Sequence, residues 1–504
     1  MSTPMLTLRN GYPRPRQNIP LLDWPQFRTA ILEAVAEGTR VSAMFGHIAA
    51  AESPVEIYVV LSDREGAQLR AAKTQIAGES FPSLTPDCPQ VHLFEREIAE
   101  QFGVKPEGHP WLKPVRFVKS QRGAKSAEAP VVGVMNFYRV EGEEIHEVAV
   151  GPVHAGIIEP GHFRFQCHGE HVFHLEISLG YQHRGVERAL VGGPDKRTIH
   201  YMETLAGDTT IGHTKAYCLA VEGLAKCKVP IRAQVLRGVA LELERLANHT
   251  GDLGALAGDV GFLPTASYCG RLRGDFLNMS ARICGSRFGR GLVRPGGVTF
   301  DTDEKRVAEL LKNLENTERD VTNAVKLLWD TPSVMNRFEE TGKVSLETCD
   351  KLGLVGPAAR ACGAERDVRN DFPFGMYRFA AIPVSTVSTG DVLARAYVRW
   401  LEIQRSVDFV REQLKTLTEG PFHAPMPPAG LAPDSFVVSL IEGWRGEICH
   451  VAMTDERGKF ARYKVIDPSF HNWSGLAMAL RNQQISDFPL CNKSFNLSYC
   501  GHDL

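Results

Sequence analysis

The sequence predicts an α+β fold, in which a small N-terminal α/β domain precedes a larger, mainly α-helical domain with small peripheral β-sheets. Near the N-terminus, helical patterns alternate with short runs of β-branched and aromatic residues, as in a compact α/β unit. Farther along the chain, long helical patterns dominate, and the runs typical of strands are short and few.

Composition limits the possible functions. A chain of 504 residues suggests more than one domain and a core that needs no disulfides. The formal net charge of -2 provides no basic field for nucleic acid, so we expect no nucleic-acid partner. The 11 cysteines form no C-x-x-C pair, which favours reduced and mostly buried thiols.

The hydrophobic pattern bears on location. We find neither the apolar core of a signal peptide nor an uncharged apolar stretch of about 18 residues. We therefore expect the protein to lie in the cytoplasm and to meet a membrane only through a partner.

The N-terminal elements follow from capping and periodicity. Asp23 can cap a helix that has Pro25 in its first turn, and Gly103 is typical of a helix end. We predict helices at residues 23–36 and 91–102, strands at 41–45 and 55–61, and an exposed segment or helix at 63–77.

The remaining elements are predicted in the same way. Two alternating runs joined by a glycine-containing turn predict a hairpin, and His154 and His162 lie on the loop that leads into it. We predict helices at 216–225, 231–253, 304–329 and 391–416, and strands at 436–441, 447–453 and 460–466.

One predicted helix carries a polar face. Glu244, Arg245, Asn248 and Asp252 recur every three to four residues on an otherwise apolar helix. Buried polar groups must be paired, so this face indicates either a structural network or the wall of a functional cavity.

The domain boundary is predicted from composition. Residues 119–125 are small, polar and basic, which suits a linker. We divide the chain into a domain at 1–120, a linker at 121–145 and a domain at 146–504.

The N-terminal part resembles a known family. The runs Phe94-Glu95-Arg96-Glu97, Phe102-Gly103-Val104 and Gly108-His109-Pro110 closely resemble the 30-kDa-type subunit of respiratory complex I. The resemblance implies a small scaffold that docks its neighbours. Glu95, Arg96 and His109 are then expected to have structural roles.

The second part resembles one family from about residue 146 to residue 504. The family comprises large subunits of complex-I-related, membrane-associated nickel-iron hydrogenases and the 49-kDa-type subunit of complex I. The blocks that carry the resemblance include Gly151-Pro152-Val153-His154, His183-Arg184-Gly185, Asp252-Leu253-Gly254-Ala255, Asp367-Val368-Arg369 and Arg445-Gly446-Glu447.

The chain departs from this family at the metal ligands. Active members hold nickel and iron with two C-x-x-C motifs, because soft thiolates suit these metals. By spacing, the four positions are Ala206, Thr209, Leu497 and Cys500. One thiolate cannot hold a dinuclear centre, so we expect no nickel-iron site, and Cys500 is a vestigial ligand position.

The resemblance to complex I implies instead a cavity for a quinone headgroup. His162, with His154 as the alternative, matches the family's loop histidine, and Asp252 matches the aspartate that would orient it and set its pKa. The tyrosine expected at this site is replaced by Gly207, and Tyr201 could substitute only if its loop were shifted.

Six further residues match positions that line the cavity or conduct protons, although each could instead form a structural ion pair. They are Glu176, His183, Arg184, Glu187, Asp367 and Arg369. The resemblance implies an iron-sulfur cluster on a small partner subunit, ion-translocating membrane subunits and possible quinone binding. Three functions compete: an oxidoreductase subunit acting on quinone or another small acceptor, a non-catalytic scaffold or coupling subunit, and an active hydrogenase.

Overall fold

The computed structural model describes residues 5–50, 53–122, 130–154 and 156–504. It confirms the predicted α+β fold. The N-terminal part contains β1 (Leu6–Leu8), β2 (Arg14–Pro15), α1 (Trp24–Ala36), β3 (Arg40–His47), β4 (Val55–Asp63), β5 (Gln68–Ile76), β6 (Ser80–Pro82), α2 (His92–Phe102) and β7 (Lys105–Glu107). Its main sheet is antiparallel, in the order β1-β5-β4-β3, and β6 pairs with β7 in parallel.

The predicted helix ends are confirmed in this part. The Asp23 side chain accepts a hydrogen bond from the Gln26 amide at 2.8 Å, and Gly103 ends α2 with a left-handed backbone at φ 66°. The prediction for residues 63–77 is wrong, because β5 occupies most of them. The alanines and charged residues of β5 gave no strand signal; its long pairing with β4 supplies the stabilisation that local propensity lacks.

The second part begins with a three-stranded sheet and continues into helices. Its elements up to residue 371 are β8 (Ile145–Val150), β9 (His162–His168), β10 (His171–Ser178), α3 (Val186–Ala189), α4 (Thr198–Glu203), α5 (Thr210–Ala225), α6 (Ile231–Asp259), α7 (Leu263–Cys284), β11 (Val293–Arg294), β12 (Gly297–Val298), α8 (Glu304–Trp329), α9 (Pro332–Phe338), α10 (Leu346–Leu352), α11 (Gly356–Arg360) and α12 (Val368–Asp371). The hairpin β9–β10 is as predicted, and His162 is the first residue of β9 rather than part of the loop.

The C-terminal elements close the helical core. They are α13 (Val392–Lys415), β13 (Ser435–Gly443), β14 (Gly446–Thr454), β15 (Phe460–Ile466), α14 (Pro468–Ala479), α15 (Phe488–Phe495) and α16 (Tyr499–Asp503). Helix α6 packs against α7 and α13 at the centre, and its side chains are buried along most of its length. The central helix therefore carries its polar face into the interior.

The first 20 residues connect the two parts. Strand β1 pairs with β5, whereas β2 pairs with β13 and completes a sheet in the order β15-β14-β13-β2. Between them, the Asn10 side chain donates to the Phe372 carbonyl and the Leu440 carbonyl, both at 2.9 Å. Of the predicted linker, residues 123–129 lie outside the described residues.

A buried group of charges fixes helix α2 to strand β15. The Lys464 ammonium lies 2.6 Å from the Glu97 carboxylate and 2.9 Å from the Glu187 carboxylate, and Arg116 also pairs with Glu97. These groups have little contact with water, so removal of any one of them would leave an unpaired buried charge and would lower the stability of the protein. The ion pairs therefore hold the two parts of the chain together. No helix in the described ranges has the length and apolar character needed to cross a membrane.

Candidate functional site

A cleft of about 550 Å³ forms where the loop before α5 meets the C-terminal segment. The loop after β10, the loop between β8 and β9 and the loop between α7 and β11 complete its wall. The lining residues are Glu159, Tyr181, Gln182, His183, Arg184, Thr204, Gly207, Arg290 and Cys500. The cleft thus brings together two residues of the predicted set, His183 and Arg184, with the vestigial ligand position Cys500.

The four positions of the lost metal motifs offer a poor donor set. Ala206 and Leu497 are buried apolar residues, and the Thr209 hydroxyl donates to the Asp208 carboxylate at 3.0 Å. Burial, together with the nearby Glu159 carboxylate, raises the pKa of the Cys500 thiol to about 12. A single protonated thiol does not fit a nickel-iron centre, and among the described residues no group of three or more His, Cys, Asp or Glu side chains is arranged to hold a metal.

An ion pair lies next to the cleft, beginning at Asp208, the residue after the lining residue Gly207. The Arg445 guanidinium donates to both oxygens of Asp208, at 2.6 Å and 2.7 Å, and to the Asn496 carbonyl at 2.5 Å. It also stacks on the Trp444 ring, 3.9 Å from the centroid. Burial would raise the pKa of Asp208, but Arg445 lowers it below its ordinary value, so this carboxylate stays ionised.

The polar face of α6 supports the same loop. The Glu244 carboxylate accepts hydrogen bonds from the Ile211 and Gly212 amides, at 2.7 Å and 3.2 Å, at the N-terminus of α5. The Asn248 amide donates to the Asp208 carbonyl at 3.0 Å. Burial raises the pKa of Glu244 to about 8. Of the two interpretations of this face, the contacts support a structural network directly behind the cleft.

The expected pair of His162 and Asp252 is not formed. Asp252 instead accepts hydrogen bonds from Arg399 at 2.7 Å and from the Asn496 amide at 2.5 Å. The guanidinium is a stronger partner than a neutral imidazole, which explains this choice. The Nδ1 atom of His162 is buried without a hydrogen-bond partner, and burial lowers the pKa of its ring.

The alternative histidine is also separate from Asp252. His154 is exposed on the loop, where its Nδ1 atom donates to the Gly151 carbonyl at 2.9 Å. A catalytic role for His162, His154 or Asp252 therefore stays a prediction that these contacts do not support.

The other predicted residues fall into three places. Glu176 accepts a hydrogen bond from the Tyr138 amide and pairs with Lys113 at the junction of the two parts. Glu187 belongs to the charge group around Lys464; burial would raise its pKa, but the surrounding cations lower it to about 2. Both contacts are those of structural ion pairs.

Asp367 and Arg369 lie in a separate buried network. They pair at 2.6 Å, and Arg369 also reaches the Glu242 carboxylate at 3.2 Å. Arg360 joins this network to Glu402 and Glu442, each at 2.7 Å. The network links α6, α11 and α13, which favours the structural alternative for these two residues.

Several residues of the site were missed by the sequence analysis. Tyr181, Glu159 and Arg290 line the cleft, and Asp208, which follows the lining residue Gly207, pairs with Arg445. Tyr181 stands two residues before His183 and could have been included with it. The contact between Asp208 and Arg445 joins residues more than 200 positions apart, so no local pattern indicates it.

The sequence matches two described families. Residues 28–122 match the respiratory-chain NADH dehydrogenase 30-kDa subunit, and residues 259–436 match the 49-kDa subunit of the same enzyme. The chain is therefore a fusion of segments related to two complex I subunits.

Individual relatives extend this result. The carbon monoxide-induced hydrogenase of Rhodospirillum rubrum is 31% identical over 353 residues, which cover 70% of this chain and 97% of that protein. Formate hydrogenlyase subunit 5 of Escherichia coli is 28% identical over 465 residues, or 88% of this chain and 81% of that protein. NADH-quinone oxidoreductase subunit 4 of Thermus thermophilus is 30% identical over 369 residues, which cover 68% of this chain and 90% of that protein. The chain therefore belongs to the family that unites the 49-kDa subunit of respiratory-chain NADH dehydrogenase with related hydrogenase subunits, and it is an oxidoreductase subunit with a 30-kDa-subunit domain at its N-terminal end.

Proposed function

We propose that the protein passes electrons from an iron-sulfur cluster on a small partner subunit to a quinone-type acceptor in the cleft beside Cys500. The complex would be membrane-associated, with the protein on the cytoplasmic side and ion-translocating subunits in the membrane. The observation that carries the proposal is the set of hydrogen-bonding groups in the cleft, which suits a small acceptor with carbonyl oxygens and does not suit nickel and iron.

Four polar residues of the cleft have distinct tasks in this proposal. Reduction of a quinone to a quinol takes up two electrons, which the partner's cluster supplies, and two protons, which come from solvent through the open side of the cleft. The Tyr181 hydroxyl donates a hydrogen bond to one carbonyl, and Arg184 and Arg290 stabilise the negative charge that develops on the oxygens. Arg184 is positioned for this by its bonds to the Thr204 and Leu205 carbonyls, at 2.7 Å and 3.0 Å.

His183 favours the reduced form of the acceptor. Its Nδ1 atom donates to the Asp503 carbonyl at 2.7 Å, and burial lowers the pKa of the ring. The neutral ring therefore keeps Nε2 as an acceptor, which can receive a hydrogen bond from a quinol hydroxyl but not from a quinone carbonyl.

The test uses the complex purified with its native partners and a short-chain quinone. Tyr181→Phe removes one hydroxyl and is expected to lower kcat about 100-fold, the effect of losing one hydrogen-bond donor to an oxygen that develops negative charge. Tyr397→Phe, in α13 and away from the cleft, is the matched control and should leave kcat unchanged. Equal kcat values for the wild type and Tyr181→Phe would contradict the proposal.

A second candidate is a non-catalytic scaffold. It is favoured by Gly207, which stands where the family's quinone-site tyrosine is expected, and by the internal pairing of Asp208 with Arg445. In that case the purified complex would reduce no quinone, and removal of this chain would prevent assembly of the other subunits.

A further inference from the structure

A second cavity, of about 540 Å³, lies at the junction of the two parts of the chain. Its walls come from α2, the segment after β7, strand β10 and helix α14, so it is separate from the cleft beside Cys500. A volume of this size is typical of sites for small organic molecules.

One wall of the cavity is aromatic. The rings of Trp111, Tyr138 and His174 lie close together, with centroid distances of 5.5 Å, 5.5 Å and 4.7 Å. Trp473 of α14 also lines the space. Side chains of this kind offer faces and edges on which a planar ring can pack.

Two lining residues have unused polar atoms. The Nε2 atom of His174 and the indole nitrogen of Trp473 are buried and have no hydrogen-bond partner. Buried polar atoms are almost always paired, so a ligand that bonded to the Trp473 nitrogen would satisfy a group that the folded chain leaves without a partner. The indole N–H can only donate, and its partner must therefore be an acceptor such as an oxygen atom.

The charge of the lining is positive. Arg96 and Arg481 line the cavity together with a single carboxylate, Glu176, whose charge is already balanced by Lys113 outside the lining. Arg96 is held by the Lys113 and Pro114 carbonyls, each at 2.8 Å. The Arg481 guanidinium is exposed and forms no ion pair with any residue that the structure describes, so it is free to bind an anion.

We propose that this cavity binds a planar aromatic carboxylate that carries a second oxygen at the far end of its ring system. The carboxylate pairs with Arg481, the rings pack against the wall formed by Trp111, Tyr138 and His174, and the second oxygen accepts a hydrogen bond from Trp473. Arg481 stands eight positions after Trp473, just beyond the end of α14, and by the helical rise the two backbones are about 12 Å apart, which requires a ligand with separated polar ends. The proposal does not depend on the function of the cleft.

The test pairs three ligands with two variants of the full chain. The probe is 6-hydroxy-2-naphthoate; 2-naphthoate lacks the hydroxyl and 2-naphthol lacks the carboxylate. Binding is measured by titration calorimetry. Trp473→Phe should lower the affinity for 6-hydroxy-2-naphthoate about 10-fold and leave the affinity for 2-naphthoate unchanged, because only the first ligand accepts a hydrogen bond from the indole N–H.

Arg481→Gln should lower the affinity for both carboxylates about 10-fold and leave the affinity for 2-naphthol unchanged. Because Arg481 is exposed, this variant should fold even if Trp473→Phe does not. Trp329→Phe is the matched control: its indole nitrogen is also buried without a partner, but it does not line the cavity. Wild-type affinity for all three ligands in both variants would overturn the proposal. It is equally overturned if the wild type binds no ligand at about 1 mM, or if Tyr181→Phe in the cleft weakens binding as much as Trp473→Phe.

Discussion

Replacement of Arg445 by methionine should destabilise the protein by leaving the Asp208 carboxylate without its partner. Methionine keeps much of the side-chain volume but removes the donors to Asp208 and to the Asn496 carbonyl. Breaking a buried ion pair costs about 3–5 kcal/mol. The Arg445 side chain is only 5% exposed but that of Asp208 is 31% exposed, so water can solvate part of the orphaned charge. We therefore expect a loss of about 3 kcal/mol in the free energy of unfolding.

A double-mutant cycle separates the pair from its surroundings. Asp208→Asn alone should cost about 2 kcal/mol, because Arg445 keeps its bond to a carbonyl but loses its counter-charge. The double variant should be no less stable than Arg445→Met, since the orphaned carboxylate is gone. The coupling energy between the two sites should then be about 2 kcal/mol.

The assay is equilibrium unfolding in urea, followed by circular dichroism and tryptophan fluorescence. Lys351→Met removes a solvent-exposed ion pair with Glu347 and serves as the control, with no measurable change expected. A coupling energy below about 0.5 kcal/mol would refute the reasoning, because the pair would then stabilise the loop no more than an exposed pair does.

Three further predictions concern the metal content, the pH dependence and the backbone. The protein purified with its native partners should contain iron at the level of the partner's clusters and no stoichiometric nickel, by elemental analysis; one nickel per chain would restore the hydrogenase hypothesis. Because burial raises the pKa of Glu244 to about 8, the folded state holds a proton that the unfolded state releases above about pH 4.5. Stability should therefore fall between about pH 5 and 8, and Glu244→Gln should abolish that part of the slope in urea unfolding at each pH. Gly356→Ala should prevent normal folding, because the backbone there has φ 66° and a Cβ atom would lie 2.1 Å from the Arg445 carbonyl oxygen. Gly38→Ala is the control: the backbone has φ 91° but the space around it is open, so the loss in the free energy of unfolding should be only about 1–2 kcal/mol. Equal thermal midpoints for the two variants would contradict this prediction.

The elements were predictable where local chemistry decides them. The cap at Asp23, the glycine end of α2 and the bounds of α8 agree with the sequence patterns, because caps and apolar periodicity act over a few residues. Strand β5 could not be predicted in this way, since its burial depends on pairing with β4.

The site was only partly predictable, for a related reason. The family resemblance indicated that three of the four metal-ligand positions lack a thiolate, and it also selected His183 and Arg184, which line the cleft. Spacing alone could not show that Asp252 would be bound by Arg399, because that contact depends on the packing of α6 against α13. The partners of buried charges are therefore what sequence reasoning predicts least well in this fold.

The charges around Arg445 explain how the loop beside the cleft is held in place without metal-binding thiolates. A guanidinium as buried as that of Arg445 needs a nearby negative charge, since desolvation alone would disfavour its charged form. In this chain Asp208 supplies that charge directly, and the carboxylates of Asp467 and Asp252 add to it at longer range. The cation is thus balanced by carboxylates of the chain itself, which hold the loop before α5 in place. The cleft in front of the pair is then open to a small acceptor, which is the arrangement that the proposed function requires.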